Sequence, residues 1–76
     1  MKDRKLMEEK LIKLCRILFE RDDITMDSYR EEIEQWDSLA HVMLIGEVES
    51  EFQVKIPFDA IGQIQSLKDI KRFLEE

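Results

Sequence analysis

Three residues in the middle of the chain have side chains that could do chemistry. Asp37, Ser38 and His41 place a carboxylate, a hydroxyl and an imidazole within five positions, and these are the residue types of a hydrolase triad. At about 100° per residue, however, His41 falls on the same helical face as neighbouring apolar residues. Nothing in so short a chain suggests an oxyanion-hole loop or a substrate pocket. We therefore disfavour catalysis and interpret Asp37 and Ser38 first as helix N-cap residues.

Size and composition limit what the chain can be. Its 76 residues predict a single domain, 1–76, with one modest core. The longest apolar run, at residues 42–45, is far below the roughly 20 residues that span a bilayer, and the N-terminus lacks the pattern of a signal peptide. Cys15 is the only cysteine and lies on a predicted apolar face, which predicts a buried structural thiol and a reducing, cytoplasmic compartment. No His/Cys spacing indicates a metal site.

The charge is acidic and unevenly distributed. Residues 1–20 carry a net charge of +2 and residues 21–76 a net charge of −8, which together give −6. An acidic body disfavours nucleic acid as a partner, because phosphates are bound by Lys and Arg. It favours docking to proteins that present basic patches.

The apolar spacing predicts an all-α fold. Residues at intervals of three and four predict a first helix over about 3–20. Residues 21–36 predict a long loop that its own apolar side chains hold to the core, with a helical turn around 29–33. A second helix is predicted from Asp37-Ser38 to about Phe52, a short one at 59–61 and a last one over about 66–75, where Ser66 is an N-cap candidate.

The second helix carries apolar residues on two opposite faces. One face is an ordinary core stripe, made of Leu44, Ile45, Val48 and Phe52. The other contains Leu39, Val42, Met43 and Gly46, and the acids Glu47 and Glu49 lie around it. This second stripe could pack under the long loop, an open alternative for Val42, or it could dock a partner protein. For Leu39 and Met43 we favour docking.

Several motifs together resemble acyl and peptidyl carrier proteins. Trp36-Asp37-Ser38-Leu39 resembles the Asp-Ser-Leu attachment motif of that family, placed at a helix start. Residues 49–52 resemble its acidic-aromatic helix end, residues 54–57 its extended connection, and residues 67–70 its fourth helix. The resemblance covers essentially the whole chain, most clearly residues 24–74. It implies a small four-helix acyl-carrier-like bundle with three longer helices and a short third one.

The resemblance also implies a function without catalysis. A phosphopantetheinyl transferase would attach 4'-phosphopantetheine to Ser38, flanked by Asp37 and Leu39, and the arm would carry acyl or aminoacyl groups as thioesters. Expected partners are that transferase and an acyl- or aminoacyl-activating ligase, an acyltransferase or a synthase, with a monomer as the default state. The candidate partner-recognition residues are Trp36, Leu39, Val42, Met43, Gly46, Glu47 and Glu49. The candidate lining of an acyl-chain site is Leu44, Ile45, Ile56, Ala60, Ile64 and Leu67, for which core packing is the first role.

Departures from the family pattern point to a dedicated pathway. Gln35 stands where many fatty-acid carriers have glycine, and Ala40 and Met43 stand where those carriers tend to place acids. The bulky Trp36 is interpreted as covering one end of the bundle and fixing the loop, in preference to contacting the cofactor. The alternative function is an unmodified helical interaction domain that docks through the second stripe. In that case Ser38 would be only an N-cap.

Overall fold

The computed structural model describes residues 4–75, with Arg4 described by its backbone alone. Four α-helices follow one another: α1 (Arg4–Phe19), α2 (Ser38–Phe52), α3 (Phe58–Ile61) and α4 (Leu67–Glu75). A 3₁₀ turn at Arg30–Glu32 interrupts the first loop. Between residues 4 and 75 there is no strand, and the single isolated bridge joins Tyr29 to Ser66. The predicted all-α fold is confirmed, whereas the predicted start of the first helix at residue 3 lies outside the described residues.

The first helix supplies one wall of the core. Met7, Leu11, Cys15 and Phe19 recur every four residues and are all buried, as the apolar spacing predicted. The helix ends where Glu20 takes a left-handed backbone conformation (φ 54°) and Arg21 N–H donates to the Arg16 carbonyl at 3.1 Å. The Phe19 ring stacks on Trp36 with centroids 5.1 Å apart. The carboxyl end of α1 therefore lies beside the start of α2.

The long first loop is held to the body by buried side chains and by specific hydrogen bonds. Ile24, Ile33 and Trp36 are buried. The Arg16 guanidinium donates twice to the Ile24 carbonyl, at 3.0 and 3.2 Å, and Arg30 N–H donates to the Gln65 carbonyl at 2.7 Å. The interpretation of residues 21–36 as a pinned loop is confirmed. The bonds at both ends fix how the chain enters α2.

Local hydrogen bonds define the ends of the later helices. Gln53 ends α2 in a left-handed conformation (φ 55°). Ser66 Oγ accepts from Asp69 N–H at 3.2 Å, which is an N-cap bond for α4, as predicted. Lys71 of α4 pairs with Glu8 of α1. Within residues 4–75 no helix is long and apolar enough to cross a membrane.

Candidate functional site

Ser38 occupies the first position of α2 and is exposed. Asp37 precedes it as the N-cap: its Oδ1 accepts from Ala40 N–H at 2.9 Å, and its carbonyl accepts from His41 N–H at 2.8 Å. These two bonds fix the first turn and leave the serine hydroxyl at the end of the helix. The first N–H groups of a helix have no intrahelical partner and lie at the positive end of the helix dipole. The site can therefore stabilise an anion attached to Ser38.

His41 does not assist Ser38. Its ring is buried, with 4% of its surface exposed. Nδ1 accepts a hydrogen bond from Trp36 Nε1–H at 2.9 Å, and Nε2 lies 2.8 Å from the Ile61 carbonyl. Both ring nitrogens are thus engaged in the interior. The Asp37 carboxylate, for its part, caps the helix, so the three residues do not form a hydrolase triad. The expectation that His41 faces the core is confirmed, and its burial is deeper than the partial packing expected.

Trp36 is buried rather than available to partners. Only 2% of its surface is exposed, its ring lies between Phe19 and His41, and its carbonyl accepts from Arg30 Nε at 3.2 Å. The prediction that Trp36 belongs to the partner-recognition residues is wrong for direct contact, because a buried ring cannot touch another protein. The interpretation that Trp36 fixes the loop agrees with these contacts.

An exposed apolar stripe begins beside Ser38 and runs along α2. Leu39 is 72% exposed, Val42 is 65% exposed, Met43 is about half exposed, and Gly46 is also exposed. We call these four residues the α2 stripe. The alternative in which Val42 packs under the first loop is wrong, because the side chain is exposed. A Cβ built on Gly46 would meet nothing within 4 Å, so the chain's own packing does not require a glycine there.

The two acids predicted to join the stripe differ in their surroundings. Glu47 is exposed. Together with Glu51 it borders a groove of about 500 Å³ between α1 and α2, with Lys10 and Lys13 among its other lining residues. Glu49 is half-buried, and its Oε2 accepts from Ile56 N–H at 2.8 Å. The Glu49 carboxylate therefore holds the segment that follows α2, and its role in partner recognition stays a prediction.

Phe58 is an exposed residue to which sequence analysis gave no role. It begins α3 directly after Pro57 and is 90% exposed. Because Phe58 does not belong to an apolar repeat with helical spacing, the periodicity of the sequence did not indicate a role for it. The adjacent proline indicates that a helix starts nearby, but it does not indicate that Phe58 is exposed. Phe58 adds an apolar side chain to the surface of α3.

Comparison with known proteins identifies the architecture. No protein-family model matches the sequence, and no curated protein matches it either. Among solved structures, the chain is similar to a holo acyl carrier protein from Geobacter metallireducens, determined by solution NMR, with a TM-score of 0.76 and 23% sequence identity. The match covers 88% of this chain and 79% of that chain. The chain has the acyl carrier protein fold.

Within this acyl carrier fold, the predicted cargo-lining residues belong to the core. Leu44, Ile45, Ile56, Ile64 and Leu67 are buried, and Ala60 is half-buried against them. Two surface grooves formed by described residues, one at α1 and Glu47 and the other at α1 and Phe52, are not lined by these residues. Their packing role is established, and a role in holding an acyl chain stays a prediction.

The thiol of Cys15 is inaccessible to solvent. Cys15 is free and fully buried, and burial raises the pKa of its thiol to about 12. Its thiolate is therefore scarce near neutral pH. Among residues 4–75 no group of three or more His, Cys, Asp or Glu side chains could hold a metal ion. The exposed chemistry of the site thus centres on the Ser38 hydroxyl.

Proposed function

We propose that this chain is an acyl carrier protein. It holds acyl or aminoacyl intermediates as thioesters on a 4'-phosphopantetheine arm attached to Ser38 and delivers them to partner enzymes. The observation that carries the proposal is the exposed Ser38 at the first position of α2, within an Asp-Ser-Leu sequence and an acyl carrier fold. The protein itself makes and breaks no substrate bonds in this proposal. Its contribution is to raise the effective concentration of a tethered intermediate at each partner's active site.

The residues around Ser38 fit a phosphate ester. In the attachment step, Ser38 Oγ would form a bond to the pantetheine-bearing phosphorus of coenzyme A. The phosphoanhydride bond to the adenosine 3',5'-bisphosphate part would break, releasing that part, and the hydroxyl proton would pass to solvent. The unpaired N–H groups of the first turn and the helix dipole favour the charged product. Asp37 keeps that turn formed through its bond to Ala40 N–H, and Leu39 is exposed beside the attachment point. When bound, the arm supplies a thiol that holds the acyl group.

The α2 stripe is the proposed partner-docking surface. It exposes Leu39, Val42 and Met43 next to the attachment point, and the flexible, polarisable side chain of Met43 suits several partners. Gly46 lets another backbone approach, because the space beside its Cα is open. Glu47 adds a negative charge suited to basic partner surfaces. The partner classes are a phosphopantetheinyl transferase and a ligase, acyltransferase or synthase.

The composition of this surface favours a dedicated pathway over general fatty-acid synthesis. Early in α2, Ala40 is partly buried and Met43 is apolar and about half exposed, where fatty-acid carriers tend to have acids. Enzymes that recognise such acids would find fewer charges here. We propose a monomeric carrier that works in the cytoplasm with its own set of enzymes.

A loading reaction distinguishes the proposed carrier function from the alternative function, an unmodified interaction domain. The exposed α2 stripe is compatible with both functions. The purified protein is incubated with coenzyme A, magnesium and a broad-specificity phosphopantetheinyl transferase, and its intact mass is measured. We expect a gain of one phosphopantetheine in the wild type and none in Ser38→Ala. Ser50→Ala, which removes another exposed hydroxyl of α2, should load normally. No gain by the wild type, in a reaction that loads a control carrier, would favour the interaction domain.

A further inference from the structure

Three elements around the attachment site meet at one buried imidazole. His41 lies in the first turns of α2, its Nδ1 contacts the indole of Trp36, and its Nε2 contacts the carbonyl of Ile61, the last residue of α3. We propose that His41 is a positioning residue that fixes α3 relative to the segment presenting Ser38. Any effect of His41 on the loading of Ser38 or on docking depends on the proposed carrier function. The hydrogen bonds of His41 do not depend on that function.

The hydrogen bonds select one form of the ring. The Trp36 indole nitrogen is only a donor, so His41 Nδ1 must be the acceptor. The ring proton is then on Nε2, where it donates to the Ile61 carbonyl 2.8 Å away. A neutral imidazole with its proton on Nε2 satisfies both partners at once, and the other neutral tautomer satisfies neither. A buried ring with two defined partners has little freedom to rotate.

The short third helix needs such a contact. It has only four residues, of which Ala60 and Ile61 are partly buried against the core and none is fully buried, and its N-cap Pro57 makes no side-chain capping bond. A single helical turn is not stable alone, because nucleation is costly and few bonds reward it. The bond from His41 anchors the carboxyl end of α3 to α2. It thereby sets where the exposed Phe58 lies relative to Ser38.

The hydrogen bond to Trp36 connects His41 to the segment that precedes Ser38. Trp36 lies two residues before Ser38, its ring stacks on Phe19 of α1, and its carbonyl accepts from Arg30. The path from α1 through Trp36 and His41 to Ile61 is therefore continuous. A displacement of α3 would therefore also displace the residues at the start of α2. The surface around Ser38 that a partner contacts would change as a result.

Two substitutions of His41 and one control test the link. His41→Leu replaces the imidazole with an apolar side chain and removes both bonds. His41→Gln can accept from the indole through its oxygen and donate to Ile61 through its nitrogen. Ile70→Val removes one buried methylene in α4 and controls for general destabilisation. The readouts are the imidazole ¹⁵N shifts of the wild type, the Trp36 indole proton resonance, and amide hydrogen exchange at Gln63 and Ile64, whose N–H groups bond to carbonyls of α3.

We expect the wild-type ring to be protonated on Nε2 alone. Exchange at Gln63 and Ile64 should accelerate about three- to tenfold in His41→Leu, as loss of one hydrogen bond implies, with partial recovery in His41→Gln. Ile70→Val should show no selective change there. A proton on Nδ1, or His41→Leu that folds and leaves these amides and the indole resonance unchanged, overturns the proposal. If His41→Leu does not fold, the wild-type tautomer and His41→Gln decide. None of these readouts needs a modified Ser38, so Ser38→Ala should give wild-type values even if the carrier function is wrong.

Discussion

The carboxylate of Asp37 caps α2, and its contribution to the free energy of unfolding can be worked out. Its Oδ1 accepts from Ala40 N–H at 2.9 Å, and the side chain is exposed, so Asp37→Ala removes a cap without opening a cavity. Loss of an N-cap side chain costs about 1 kcal/mol, within a range of about 0.5–2. For a domain of this size, 1 kcal/mol lowers Tm by about 4–8 °C. Asp37→Asn keeps an acceptor and loses only the favourable charge at the helix start, a loss of about 0.3–1 kcal/mol.

Thermal and urea unfolding followed by circular dichroism measure this difference. We expect the order of stability wild type, Asp37→Asn, Asp37→Ala. Asp22→Ala serves as the matched control, since it removes one exposed acid of the first loop without touching a helix cap, and it should shift Tm little. Equal losses for Asp37→Asn and Asp37→Ala would show that the charge, not the cap bond, matters. No loss in Asp37→Ala would refute the role assigned to the cap.

Three further predictions concern the core and the α2 stripe. Cys15, with a pKa raised to about 12, is about one ten-thousandth thiolate at pH 8, so it should react with a thiol reagent only after denaturation; rapid labelling of the folded protein would contradict its burial. Gly46→Ala meets no steric obstacle and should stabilise the protein by about 0.5–1 kcal/mol in urea unfolding, whereas a loss would show hidden crowding. Leu44→Ala should cost about 2–5 kcal/mol and the exposed Leu39→Ala less than about 0.5 kcal/mol; similar losses in the two would refute the separation of core and stripe.

Local signals in the sequence predicted most of the fold. The spacing of Met7, Leu11, Cys15 and Phe19 needs no knowledge of the rest of the molecule to indicate a helix with one buried face. The caps at Asp37 and Ser66 are likewise local, since each side chain bonds an N–H three residues on. These features depend on short-range geometry, which the sequence contains directly.

The local sequence pattern could not predict interactions between residues that are distant along the chain. Glu49 looked like a surface acid, yet its carboxylate bonds Ile56 N–H because the chain turns back after Gln53. The exposure of Val42 depended on the path of the first loop, which is held to α1 by bonds such as that of Arg16 to the Ile24 carbonyl. Periodicity predicted that His41 faces inward, but its partners lie in a loop and in another helix.

The most direct test of the account is to locate the modification on the protein. The chain is loaded with coenzyme A by a broad-specificity transferase, digested, and the peptides are fragmented in a mass spectrometer. The account predicts a single phosphopantetheine on the peptide that contains Ser38, assigned by fragmentation to that serine and not to Ser28 or Ser50. Phosphopantetheine on another residue, or an unmodified Ser38 when a control carrier is fully loaded, would contradict the central claim.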